Sequence, residues 1–181
     1  MPDQLSVLKL VTSRLEAAAI PYMITGSMAA GHYAQPRFTR DIDLVVELRP
    51  GDAERMAALF QGEFDCDPTA IRRAITRESM FNLIHIEAIV KVDFVVRKST
   101  RYHLEEFGRR RSVPIDGQPM WIVAPEDLIL SKLLWAKDSR SELQLRDVRQ
   151  VIDAQQGLDW TYLEQWARTL TAIGLLHEVR R

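Results

Sequence analysis

The stretch DIDLVVEL, Asp41 to Leu48, constrains the fold more than any other part of the chain. Polar and apolar residues alternate in it, and a period of two belongs to a strand with one buried face. Ile42 and Leu44 then point to a core, while Asp41 and Asp43 project together from the opposite face. Two steps along a strand separate their Cα atoms by roughly 6.5–7 Å, at about 3.3 Å of rise per residue. Two aspartates so placed repel each other, and Val or Thr would favour the strand more. The pair makes physical sense if a cation sits between the carboxylates.

A third acid stands in a matching context. In IVKVDFVV, Asp93 shares a face with Lys91 and Val95, while Val92, Phe94 and Val96 share the other. If this strand lies beside the first, Asp93 joins the other two acids, and Lys91 reads as a partner for them. Oxygen-only ligands on rigid strands suit Mg²⁺, which prefers carboxylates, water and substrate phosphates. Two such ions would permit in-line attack at phosphorus, one activating a hydroxyl and the other stabilising the leaving oxygen. Upstream, Gly26 lets the backbone approach a phosphate, and Ser27 offers a hydroxyl and an amide at a helix N-terminus. Alone, a Gly-Ser before a helix is an ordinary cap. Followed after thirteen intervening residues by Asp41-Ile42-Asp43, it is far more specific.

The remaining pattern supports an α/β (α+β) fold, a mixed sheet flanked by helices with a C-terminal helical region. Leu5, Leu8, Val11 and Leu15 recur at three and four residues and predict a first helix, ended by Pro21. YMIT is a short strand, MAAGHYA a short helix, and AERMAALFQ a helix with Asp52 placed to cap it. DPTAIRRAITRE and YHLEEFGRRR read as helices, and MFNLIHI and IVKVDFVVR as an antiparallel pair. VPIDGQPMWIV is a hairpin turning at Asp116-Gly117. After Pro125 only helical periodicity is found, in EDLILSKLLWAKD, ELQLRDVRQVIDAQ and WTYLEQWARTL. The expected organisation is an α/β core over 1–124 and a helical region over 125–181 packed on it.

Composition removes other classes. Lys+Arg number 24 against 25 Asp+Glu, a formal charge of -1, so no global basic field draws in nucleic acid. The single cysteine, Cys66, excludes an internal disulfide framework. Charges interrupt the N-terminal segment and no stretch is apolar for long enough to span a bilayer, so no membrane partner and a cytoplasmic location are expected.

The apolar strand, Gly26-Ser27, the short helix, Asp41-Ile42-Asp43 and the later strand acid Asp93 together resemble the nucleotidyltransferase superfamily related to DNA polymerase β. The resemblance covers about residues 20 to 96. Within it, PRFTRDIDL looks most like the bacterial toxin-type and abortive-infection (AbiEii-like) enzymes, and is also similar to aminoglycoside nucleotidyltransferases. The resemblance implies a nucleotidyltransferase-type core and transfer of a nucleoside monophosphate from an NTP such as ATP to an acceptor, with release of pyrophosphate. It implies that Asp41 and Asp43 hold two Mg²⁺ ions, with Mn²⁺ as a substitute. Asp93 would bind the ion that activates the acceptor hydroxyl and help take its proton. Gly26 and Ser27 would hold the β- and γ-phosphates. Lys132 in LILSKLLWAKD would support the phosphates, and Asp147 in LRDVRQVID would orient a base or the lysine. Arg37 and Arg40 would hold triphosphate or the second substrate, or else pair with the aspartates or face water. The acceptor stays open between a tRNA end, a protein hydroxyl and a small molecule such as an aminoglycoside. A toxin-type protein implies a neutralising antitoxin partner, and a homodimer completing the cleft is compatible with so short a chain. The competing class is a nucleotide-binding regulatory subunit without catalysis; retaining three carboxylates disfavours it, because an acidic cluster is costly.

Overall fold

The computed structural model describes residues 3–36, 39, 41–139 and 141–180. Along the chain run α1 (Gln4–Ala17), β1 (Tyr22–Ile24), α2 (Gly26–Tyr33), β2 (Asp41–Val46), α3 (Ala53–Phe60) and β3 (Phe64–Asp65). Then come α4 (Pro68–Arg77), β4 (Met80–His85), β5 (Val90–Val96), α5 (Arg101–Gly108), β6 (Arg111–Ile115) and β7 (Gln118–Ile122). The chain continues with α6 (Pro125–Ser139), α7 (Glu142–Ala154), α8 (Trp160–Thr169) and α9 (Ile173–Val179). These elements group into two units. One takes Met1–Ile24 with Phe38–Ile122, the other Thr25–Arg37 with Val123–Arg181. The helical unit therefore includes α2, which a linear reading leaves with the N-terminal portion.

The first unit is built on one mixed sheet in the order β3-β4-β5-β2-β1-β7-β6. β2 runs parallel to β5 and antiparallel to β1, which itself runs parallel to β7. β4 and β5 form the expected antiparallel pair, as do β6 and β7. The turn of the latter hairpin has φ 46° at Asp116 and 78° at Gly117, the left-handed pair that Asp-Gly adopts readily.

β2 realises the alternation read in its sequence: Ile42, Leu44 and Val46 are fully buried, and Asp41, Asp43 and Val45 are half-buried. The closed face continues through Val92, Phe94, Phe81 and Leu83. Phe81 stacks on Phe94 with ring centroids 5.1 Å apart, and Phe60 of α3 meets Phe94 at 5.9 Å. A sheet with one face closed in this way leaves the other to carry polar chemistry.

Aspartates cap some of the helices. Asp3 caps α1 by accepting from Ser6 N at 2.8 Å, and Asp67 caps α4 by accepting from Thr69 N at 2.8 Å. Asp52 departs from expectation. It stands before α3 without a side-chain cap, because the 3₁₀ turn Pro50–Asp52 intervenes and its Oδ2 accepts from Arg49 N at 2.7 Å.

Tyr22 of β1 is 1% exposed, and its Oη accepts from Trp121 N at 3.5 Å. Burial pushes its phenol from 10.0 up to about 12. The folded chain thus holds this proton more tightly than the unfolded chain. The stabilisation is complete below the unfolded value of 10.0 and is lost as pH climbs through about 12. The unfolding free energy from urea titrations should fall across that window with a slope of about 1.4 kcal/mol per pH unit at most, and Tyr22→Phe should flatten it. An unchanged slope in that variant would assign the alkaline loss elsewhere.

In the helical unit, Leu128, Ile129, Leu133, Val148, Val151, Leu163 and Leu176 form a fully buried core. α2 joins it through Tyr33, whose Oη donates to Val123 O at 2.8 Å and whose carbonyl accepts from Gln155 Nε2 at 2.6 Å. Asp159 caps α8 by accepting from Tyr162 N at 2.9 Å. Among the described residues no helix is long and apolar enough to cross a membrane.

Candidate functional site

The parallel ladder of β2 and β5 sets Asp43 opposite Asp93 and Asp41 opposite Lys91. Register partners on neighbouring strands point to the same face. One square of adjacent positions therefore carries three acids and a lysine, on the sheet face opposite the Phe94 core. Two carboxylates directly opposed across a ladder are destabilising, so this arrangement costs the sheet stability. Gln4 steadies the start of β2, its side-chain amide donating to Asp41 O at 3.1 Å.

Asp93 is the most enclosed acid of the group, at 7% exposure. Its Oδ2 accepts from Lys91 Nζ at 2.7 Å. Its Oδ1 is buried with no hydrogen-bond partner among the described residues. A buried carboxylate oxygen normally finds a donor, and leaving one unmet costs about 1–3 kcal/mol. That orphan, on the residue in register with Asp43, is what a divalent cation would satisfy, and oxygen-only donors fit Mg²⁺. Among the described residues no three His, Cys, Asp or Glu side chains already converge as a metal-holding group. The acids are held apart on adjacent strand positions, and the Asp93 carboxylate is turned to the lysine.

Lys91 feels all three acids. The hydrogen bond to Asp93, then the charges of Asp93, Asp41 and Asp43, hold its ammonium above the ordinary lysine range against desolvation. Asn82 completes the row from β4, opposite Asp93 in the antiparallel register and exposed. It was not singled out from the sequence, although the alternation in MFNLIHI already puts Asn82 on the face away from Phe81 and Leu83.

The other candidates lie on the helical unit or outside the described residues. Gly26 and Ser27 open α2, immediately after Thr25 along the chain. Gly26 has φ 64°, a left-handed conformation that costs other residues about 1–2 kcal/mol, so the backbone favours glycine there. Both residues are half-buried. Lys132 is buried at 3% exposure, its Nζ donating to Asp147 Oδ2 at 2.7 Å and to Gln144 Oε1 at 2.9 Å. Contact with a phosphate would be made in exchange for bonds of this kind. Asp147 is equally enclosed, at 2%. Arg37 and Arg40 lie outside the described residues.

A mixed sheet with an acid pair on one strand and a third acid on its parallel neighbour, flanked by helices, is a nucleotidyltransferase-type fold. No protein-family model matches the chain, and no curated protein does. Solved structures do. The solution structure of the antibiotic-resistance factor ANT(2'')-Ia is 14% identical, with a TM-score of 0.63 and coverage of 98% of each chain. An antigenic nucleotidyltransferase-like protein from Paracoccidioides brasiliensis is 18% identical, with a TM-score of 0.59, over 94% of this chain and 91% of that one. The lincosamide antibiotic adenylyltransferase LnuA, solved with lincomycin, is 10% identical, with a TM-score of 0.57, over 82% of this chain and 96% of that one. At such identities the likeness establishes a shared fold.

Proposed function

We propose that the chain is a Mg²⁺-dependent nucleotidyltransferase that moves a nucleoside monophosphate from an NTP to an acceptor hydroxyl. The observation that carries this reading is the opposition of Asp43 and Asp93 across the β2–β5 ladder, with Asp41 on the same face and Asp93 Oδ1 buried without a donor among the described residues. Asp41 and Asp43 would hold two ions, and Asp93 the one nearer the acceptor. Bound Mg²⁺, or Mn²⁺ in its place, supplies the positive charge that activates the hydroxyl and stabilises the leaving oxygen. The acceptor oxygen forms a bond to the α-phosphorus, the bond from that phosphorus to the bridging oxygen breaks, and pyrophosphate departs. Asp93 would help take the hydroxyl proton. Gly26 and Ser27 hold the β- and γ-phosphates through an amide and a hydroxyl at the start of α2. Arg40 and Lys132 are proposed as further phosphate contacts, Lys132 by exchange with its Asp147 and Gln144 bonds.

For the acceptor, the toxin-type resemblance supports an RNA or protein hydroxyl, with an antitoxin as partner. A small-molecule acceptor is a second reading, favoured by the match to ANT(2'')-Ia over 98% of both chains. Incubation with each α-³²P-labelled NTP, Mg²⁺ and either bulk tRNA, lysate or an aminoglycoside panel separates them. Label entering one acceptor class, in a manner dependent on Asp41 and Asp43, is the expected result. NTP binding without transfer to any of them would move the assignment to a regulatory subunit.

A further inference from the structure

We propose that the Lys91 ammonium is a tethered stand-in for the metal, occupying Asp93 in the metal-free chain and displaced from it when a divalent ion binds. This rests on the metal-dependent reading above. Three features of the geometry lead to it. Lys91 stands opposite Asp41 in the ladder and donates to Asp93 at 2.7 Å, so one side chain sets a positive charge among the acids that a metal would bridge. It satisfies Asp93 only in part, since Oδ1 keeps no partner among the described residues. And it is not locked in place: the Lys91 side chain is 39% exposed, against 10% for Asp93. A flexible four-carbon stem at that exposure can swing out without opening the core.

A permanent structural pair and a stand-in make opposite demands on ion binding. A structural pair holds Asp93 in position for the ion, so its removal weakens binding. A stand-in competes for the carboxylate and repels the incoming ion, so its removal strengthens binding. It also takes from Asp93 the ammonium that its Oδ2 accepts from in the metal-free chain, lowering stability there.

Mn²⁺ titration, with free ion followed by electron paramagnetic resonance, reads the difference without any turnover. Lys91→Met should bind Mn²⁺ about three- to tenfold more tightly than the natural chain, the effect of removing one nearby like charge. Lys91→Arg keeps the charge and should stay close to the natural affinity. In thermal melts, Lys91→Met should unfold earlier than the natural chain in chelator and gain more from saturating Mn²⁺. Equal or weaker Mn²⁺ binding by folded Lys91→Met would overturn the proposal while leaving the metal site standing. If Mn²⁺ affinity is instead unaffected by Asp43→Ala in the natural background, the metal-site reading itself fails, and the stand-in role with it.

Discussion

Asp43→Ala is expected to lower nucleotidyl transfer by at least about 10²–10³-fold, the scale on which removing one charge-stabilising group acts, while the chain stays folded. Asp43 sits opposite Asp93 on the neighbouring strand and shares a face with Asp41, so its loss removes the middle member of the acid row. Stability should not follow activity down. Unit charges about 5 Å apart repel by about 1–3 kcal/mol for effective dielectric constants between about 80 and 20, and the substitution relieves that repulsion. Part of the gain is lost again because alanine favours a strand less than most residues. Transfer rates measured beside urea midpoints check both halves. Near-normal transfer by a folded Asp43→Ala chain would end the assignment of these acids to catalysis.

The second large effect belongs to the helical unit. Lys132→Met should destabilise it by about 3–5 kcal/mol, because the buried Asp147 carboxylate would lose the ammonium that donates to it at 2.7 Å. Both side chains are nearly closed to solvent, at 3% and 2% exposure, and Gln144 adds a further acceptor to the lysine. Removing both charges is a different matter. Lys132→Met combined with Asp147→Leu should recover most of the loss, since an apolar pair of similar volume does as well in such a core. Denaturant unfolding of the two single variants and the double variant gives the coupling directly. A loss below about 1 kcal/mol in Lys132→Met would mean that the pair does little for the fold. Activity lost by the double variant at recovered stability would support a lysine contact with phosphate.

The chain's strongest local patterns carried furthest. Alternation over Asp41–Val46 needs only a strand with one closed face, and the hairpin at Asp116-Gly117 needs only two residues that accept left-handed backbone; both are found. The nucleotidyltransferase-type sheet was legible for the same reason, since its acids interrupt otherwise apolar strands. β3 has two residues and no period to read, and α9 is a single short helix after a left-handed Thr171. Neither was expected. The enclosure of Lys132 is a long-range property: α6 is apolar around much of its girth, and the lysine meets Asp147 and Gln144 from the next helix. Helical spacing gives each residue's face but not which face meets which. The same limit hid the grouping of α2 with the C-terminal helices.

That grouping also bears on the order in which the protein can be made. Tyr33 is synthesised 90 residues before Val123, which accepts from its hydroxyl, and 122 residues before Gln155, which donates to its carbonyl. During translation α2 must therefore wait, short and unpacked, while the strands emerge and pair, and the helical unit closes only near the end of synthesis. Cutting the gene at the border between sheet and helices would give two fragments, one with an orphaned helix and the other lacking it.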